Sequence, residues 1–378
     1  MQKIPSLRIG HLSINPPIIQ GGMGVRVSKA NLASAVANEG CAGVIASVGL
    51  GDYEHSPGAD FEEVNRIALR AEIRKTRQMS QGIIGVNVMV ALSNYESLVG
   101  VCVEENVDMI ISGAGLPLHL PAFTAGTSIQ LIPVISSVRS LKIIYRKWMK
   151  DFNRCPDAVV VEGMKAGGHL GYSLEQLEQN CPTLDKTIAD VLEFTRQLPK
   201  PIPVIAAGGI FTGQEMSHYL NAGAAGVQMA TRFVCTEECD ANIRFKQAYL
   251  EATPEDITMI KSPVGLPGRV IRNQFVENIN KGHTIPFKCK YQCLRTCNPL
   301  TAPYCIAEVL AKASEGKMDQ AFAFAGSNAW RCDEIVSVKQ LIQKIMEEYE
   351  NVPGQKKPLM DKKPQARFQD FNSSKQQV

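Results

Sequence analysis

One histidine of this chain is framed by glycine: His169, in the run VVVEGMKAGGHLGY from Val159 to Tyr172. An apolar β-branched stretch stops at Glu162, and a turn then presents the imidazole among Gly167, Gly168 and Gly171. A neutral imidazole near pH 7 suits proton abstraction or hydrogen bonding to a substrate oxygen. Glycines beside it let backbone N–H groups close on a phosphate or an aromatic ring. A lone histidine is often just a packing residue. Here the glycine frame argues against a packed core, and the strand end argues against an arbitrary surface position. The other five, His11, His55, His119, His218 and His283, have no such setting and read as structural or solvated; His119 alone, after SGAGLP, could border a pocket.

Glycine clusters at four further strand ends: QGGMG (Gln20–Gly24), SGAG (Ser112–Gly115), AAGGI (Ala206–Ile210) and GVQMATRF (Gly226–Phe233). A single cluster need only be a tight turn. The last two fall where parallel barrels build a phosphate site from backbone N–H groups, which makes Gly208, Gly209, Ala230 and Thr231 candidates for one. Asn87 and Gln228 are amides on apolar strands and must be satisfied, by a ligand's ring edge or by neighbouring backbone. Cys289, Cys293, Cys297 and Cys305 put four thiols in one short segment. They could hold an iron–sulfur cluster or zinc, although the spacing fits neither the C-x2-C zinc pattern nor common ferredoxin runs. Steps of four would alternatively place three of them on one helix face as small buried hydrophobes. The chain has no P-loop, H-E-x-x-H, G-x-S-x-G or kinase signature.

Strands must deliver these residues. Short apolar runs, at Pro17–Gln20, Ala42–Ser47, Ile83–Val88, Asp108–Ser112, Leu131–Ser136, Ala158–Glu162, Val204–Ala207 and Ala225–Met229, alternate with amphipathic stretches. These include Lys29–Glu39, Glu62–Arg77, Tyr95–Glu105, Val138–Met149, Leu184–Leu198 and Gly213–Ala222. Strands covered on both faces read as continuous β-branched runs, and eight of them with intervening helices predict an α/β fold, a TIM (β/α)8 barrel; a doubly wound open sheet is the rival. Residues 1–250 are expected to form the barrel, closing with a helix near Ala241–Leu250. Residues 251–350 form an additional segment, with Thr253–Pro286 irregular, then the cysteines, then helices at Ala302–Ser314 and Glu334–Tyr349. Residues 351–378, rich in Lys, Gln, Pro and Ser, predict a flexible tail.

The 378 residues are 45% hydrophobic and 20% charged with a net charge of +3, an enzyme-like composition without the basic footprint of a nucleic-acid binder. No window of about 18 apolar residues suggests a membrane span, and the N-terminus lacks a signal peptide's apolar region. A cytoplasmic protein with a small-molecule substrate and no nucleic-acid or membrane partner is expected, with a homodimer as the candidate assembly. Its 11 cysteines are then thiols, metal ligands or redox groups rather than disulfides.

QGGMG, GVNVM, EGMKAGGHLG, PVIAAGGI and GVQMATRF, in this order over about residues 5–280, resemble the FMN-dependent nitronate monooxygenase (2-nitropropane dioxygenase) family, which includes the flavin-dependent enoyl-ACP reductases; IRNQ (Ile271–Gln274) is similar to a family element too. The resemblance implies FMN at the C-terminal ends of the strands. Gly22, Met23 and Gly24 would pack by the ring and Asn87 would bond it, with Glu162, Gly167 and Gly168 alongside. Gly208, Gly209, Gln228, Met229, Ala230 and Thr231 would hold the phosphate end, and His169 takes the place of the catalytic histidine. Three departures stand out. Lys165 replaces the family's usual Glu, Ala230 replaces a glycine, and the cysteine segment and tail are outside the pattern. The reading implied is an FMN oxidoreductase that oxidises nitronates or nitroalkanes with O2. The alternatives are an NAD(P)H-dependent enoyl-ACP reductase of fatty-acid synthesis, and a flavin or iron–sulfur redox module serving a partner. Glu162, where monooxygenases often carry Gln, and GGM after the first strand lean toward the reductase.

Overall fold

The computed structural model describes residues 4–51 and 60–352; His55 and nearly all of the expected tail lie outside them. The chain opens with a hairpin, β1 (Leu7–Ile9) and β2 (Leu12–Ile14). Barrel strands and helices then alternate: β3 (Ile18–Gln20), α1 (Ala30–Asn38), β4 (Gly43–Ala46), α2 (Phe61–Met79), β5 (Ile84–Met89), α3 (Tyr95–Glu104), β6 (Met109–Gly113), the short α4 (Leu120–Phe123), β7 (Gln130–Ile135), α5 (Val138–Phe152) and β8 (Val159–Glu162). After a two-residue strand β9 (Gly168–His169) come α6 (Leu184–Arg196), β10 (Val204–Ala207), α7 (Gly213–Asn221) and β11 (Gly226–Met229).

Eight parallel strands form one sheet in the order β3-β11-β10-β8-β7-β6-β5-β4. Its ends meet through a parallel bridge between Ile19 and Ala42, with the Gln20 N–H donating to the Ala42 carbonyl at 3.0 Å. The sheet therefore curls into a barrel, and the open doubly wound alternative is set aside. All eight expected strands are present, shifted by a residue or two. Alternate residues decide the two faces. Val44, Met109, Ile111, Ile132, Val160 and Ile205 fill the inside together with Leu7, Ile9, Leu12 and Ile14 of the hairpin, which plugs the N-terminal end. Ile45, Val86, Ile110, Val159 and Val161 face the helices.

Beyond β11 the chain forms α8 (Thr231–Val234), α9 (Ile243–Leu250), β12 (Ile257–Lys261), β13 (Pro267–Ile271), α10 (Gln274–Asn280), α11 (Ile306–Ser314) and α12 (Val338–Glu350). The expectation of an irregular stretch over Thr253–Pro286 is corrected. Pro263 and Gly265 shape the turn between β12 and β13, Pro267 takes the first position of β13, where its missing N–H is tolerated, and Gly268 lies within that strand opposite Ile260. No helix runs through residues 281–305, so the idea of three cysteines on one helix face is also corrected. Pro286, Pro299 and Pro303 oppose helix there.

The segment from α8 to residue 336 builds its own core around Val234, Phe245, Tyr249, Val270, Phe275, Tyr304 and Phe322. Then α12, started by a capping box between Ser337 and Gln340, buries Leu341, Ile342 and Ile345 in the barrel's outer core. The N–H of Gly213 in α7 donates to Glu348 at 2.8 Å. We read α12 as the barrel's eighth helix, with the preceding segment an excursion over the barrel mouth.

Candidate active site

The strands' C-terminal ends and the excursion enclose a cavity of about 840 Å³. Its wall includes Gly22, Met23, Gly24, Asn87, Glu162, Gly167, Gly168, His169, Gly208, Gly209, Gln228, Met229, Ala230 and Thr231, so the fold brings together every residue expected around a cofactor or as catalyst. His119 is not among them; its ring packs edge-on against Phe152 at 6.4 Å. His11 lies near the amide of Gln130, and His218 pairs with Asp185.

His169 is fixed by two elements that share no sequence with its own loop. Its strand β9 pairs antiparallel with β13, Gly268 opposite His169. Its Nε2 lies 2.7 Å from the Ser262 hydroxyl in the turn after β12, and its ring packs edge-on against Phe324, centroids 4.8 Å apart. Burial pushes the imidazole down to about 4, so it is neutral at pH 7. Arg269 braces the same loop, donating to the carbonyls of Met164 and Ala166 at 2.7 and 2.5 Å. Ser262, Arg269 and Phe324 carry no sequence signal of their own; only pairing of β13 with β9 exposes their role.

Glu162 ends β8 on the cavity wall. Burial alone raises its carboxyl to about 7, and Tyr172 donates to its backbone carbonyl at 3.0 Å. Asn87 packs against Gly22, where a Cβ would lie 2.5 Å from the Asn87 Cβ. The Oε1 of Gln228 is buried without a protein partner.

Beside the end of β8, just past Ala207, which pairs with Glu162, Gly208 and Gly209 adopt φ of 92° and 96°, conformations that only glycine takes without strain. The excursion is stitched to this pair: the Asn328 amide donates to the Gly209 carbonyl at 2.7 Å, and the Gly326 N–H to the Thr231 hydroxyl at 3.0 Å. Gly167 touches the Ala325–Gly326 backbone so closely that a Cβ would lie 2.6 Å away. Two of the departures lie on this wall. The Lys165 side chain runs along Gly209, where an added Cβ would lie 2.7 Å from the Lys165 Cβ and 3.0 Å from its Cδ, and it lines the cavity wall. The Ala230 methyl sits 3.3 Å from where a Cβ of Gly21 would be, in space that glycine leaves open.

Cys289, Cys293, Cys297 and Cys305 are free thiols. Among the described residues no group of three or more His, Cys, Asp or Glu side chains could hold a metal ion, so the expectation of an iron–sulfur cluster or zinc at these four cysteines finds no support in their arrangement. None of the described helices is long and apolar enough to cross a membrane.

The sequence profile of the family described as Nitronate monooxygenase matches residues 6–97 and 63–348. The Mycobacterium tuberculosis protein named (3aS,4S,5R,7aS)-5-hydroxy-7a-methyl-1-oxo-octahydro-1H-indene-4-carboxyl-CoA dehydrogenase is 29% identical over 72% of this chain and 67% of its own length. The Bacillus subtilis protein named Probable nitronate monooxygenase is 27% identical over 89% of this chain and 96% of its own. The solved structure of FabK from Thermotoga maritima superposes with a TM-score of 0.67 at 29% identity, covering 88% of this chain and 92% of that one.

Proposed function

Because this chain belongs to the nitronate monooxygenase family, we propose that it is an FMN-dependent oxidoreductase that oxidises nitronates with O2 at the barrel mouth. The observation that carries this reading is a neutral, doubly held imidazole on the wall of a glycine-cradled cavity: His169, with Ser262 on its Nε2 and Phe324 packed edge-on against its ring. The residues fit the cofactor. Gly208 and Gly209 with Lys165 offer backbone and one positive charge to a phosphate, close contact at Gly22 and Gly24 leaves a flat surface for a ring, and the unpartnered Gln228 Oε1 awaits a donor. FMN, when bound there, supplies the electron acceptor for the substrate and the donor for O2.

The chain's own groups set the substrate's charge. A base works best when its pKa lies near the working pH. His169, held at about 4, is a weak base. It suits a substrate that arrives already ionised, a nitronate rather than a neutral nitroalkane, and its ring nitrogen then orients the nitro oxygens. Glu162, with a pKa near 7, can donate a hydrogen bond from its neutral carboxyl to the ring system beside it.

Thioester reduction is the second reading. The CoA-ester dehydrogenase and FabK among the similar proteins favour it. NAD(P)H would then be the reductant, an enoyl thioester the substrate, and His169 a hydrogen-bond partner of the thioester carbonyl. Anaerobic mixing separates the two. Bleaching of bound flavin by propyl-2-nitronate, with NADH inert, is the expected result. Rapid bleaching by NADH followed by reoxidation with a crotonyl thioester would overturn the nitronate reading in favour of the second.

A further inference from the structure

The hydroxyl beside His169 decides which ring nitrogen carries the proton. A neutral imidazole has one N–H and one lone pair, on different nitrogens. His169 is neutral at pH 7, and its Nε2 lies 2.7 Å from the Ser262 Oγ. That contact holds one proton, supplied by the ring or by the hydroxyl. The surroundings of Ser262 decide which. Ser262 is 3% exposed, so its hydroxyl proton needs an acceptor within the protein. The other group on its oxygen is a donor, the Val264 N–H at 3.4 Å, and an N–H cannot accept. Were Nε2 protonated, the Ser262 oxygen would receive two N–H groups, and its own proton would be buried without a partner among the described residues. With the hydroxyl donating to Nε2 every group is satisfied, and the ring proton sits on Nδ1.

The backbone holds both partners in place. The turn between β12 and β13 is closed by the Ser262 N–H donating to the Leu266 carbonyl at 3.1 Å and the Gly265 N–H to the Ser262 carbonyl at 2.9 Å. The Leu170 N–H donates to the Pro267 carbonyl at 2.9 Å, tying the histidine loop to the same hairpin. A strap, residues 285–305, braces the turn from its other end: the Thr296 hydroxyl donates to the Val264 carbonyl at 3.4 Å, and Tyr291, Cys293 and Leu294 of the strap line the cavity. Nδ1 is hydrogen-bonded to none of the described residues, and His169 lies on the cavity wall. The ring therefore offers a ligand an N–H and no lone pair.

We propose that Ser262 is a positioning residue that fixes His169 as the Nδ1–H tautomer, so that His169 donates a hydrogen bond to a substrate oxygen and does not act as a base. This deepens the nitronate reading, in which two oxygens share a negative charge and take such a donor. It rests on that reading for the substrate alone, because the tautomer is read without turnover.

The test is a two-bond proton–nitrogen NMR spectrum of the flavin-loaded full chain, carrying 15N-labelled histidine, near pH 7. His169→Asn identifies the His169 signals by their loss. The lone-pair nitrogen is expected to couple to both ring carbon protons, which marks it as Nε2, and the protonated nitrogen strongly to one alone. In Ser262→Ala the two nitrogen shifts should move toward each other as the preference is lost. With flavin content unchanged, kcat/KM for propyl-2-nitronate should fall about tenfold, the order of one hydrogen bond to a charged group. Ser262→Thr, which keeps the hydroxyl, should restore both the spectrum and the rate. A wild-type ring protonated on Nε2 or on both nitrogens would overturn the proposal, as would a wild-type pattern in Ser262→Ala. If propyl-2-nitronate is not turned over at all, the nitronate reading fails and the spectrum still decides the tautomer. The wild-type spectrum needs no change at Ser262, so it decides the matter even if Ser262→Ala misfolds.

Discussion

At the scale of single residues, the cavity holds two titrating groups shifted in opposite directions by the same burial. His169 falls from 6.5 to about 4, so the unfolded chain binds its proton more tightly, and this group's contribution to stability rises as pH goes from about 4 to 6.5. Glu162 rises from 4.5 to about 7, so the folded state holds the extra proton, and its contribution falls as pH goes from 4.5 to 7. The two slopes oppose one another between pH 4.5 and 6.5. In flavin-free protein, relative to the wild type, His169→Asn should therefore lose stability with rising pH across that window and Glu162→Gln should gain it, each slope below about 1.4 kcal/mol per pH unit. Urea midpoints at several pH values check this; parallel slopes in the two variants would contradict it. For chemistry, His169→Ala should keep the yellow cofactor and lose turnover by roughly 100-fold or more. Loss of the cofactor instead would make the residue structural. Lys165→Glu should weaken flavin retention about tenfold, more at low salt than at high, because it turns an attraction for phosphate into a repulsion. Fluorescence of the released flavin reads that directly.

At the scale of elements, the strands were legible because residues buried on both faces leave a continuous apolar signature, as in VVVE of β8. The helices were legible from their periodicity and caps, such as Thr212 with Glu215 at α7. The β12–β13 hairpin was not, because Pro263, Gly265, Pro267 and Gly268 in sequence look like disruption, whereas the first two form the turn and the last two open a strand that pairs with both β12 and β9. The contact of α7 with α12 yields a sharp comparison. A Cβ on Gly213 would lie 1.9 Å from the Ile345 carbonyl oxygen, whereas one on Gly100, within α3, meets nothing within 4 Å. Gly213→Ala should cost about 3 kcal/mol, and Gly100→Ala should add about 0.5–1 kcal/mol by removing glycine's backbone entropy. Thermal melts of the pair test whether α12 belongs to the barrel.

At the scale of the whole molecule, the barrel is completed only after a long excursion. Truncation after residue 336 would remove α12 and uncover Leu32, Met216 and their neighbours in the outer core. Such a chain should fail to give a cooperative melt even though every barrel strand is present; circular dichroism and limited proteolysis would show it, and a native-like melt would refute the eighth-helix role. The sequence alone determined eight buried strands, the glycine loops and His169 as the residue to watch, because burial periodicity and backbone freedom are written locally; closure into a barrel was decided by the long-range bridge between Ile19 and Ala42. Tertiary structure alone decided what holds His169, where Lys165 lies, and that the strap carrying Tyr291, Cys293 and Leu294 walls the cavity. Those facts depend on contacts such as His169 to Ser262, 93 residues apart, and no local pattern encodes a partner that only chain closure brings within reach.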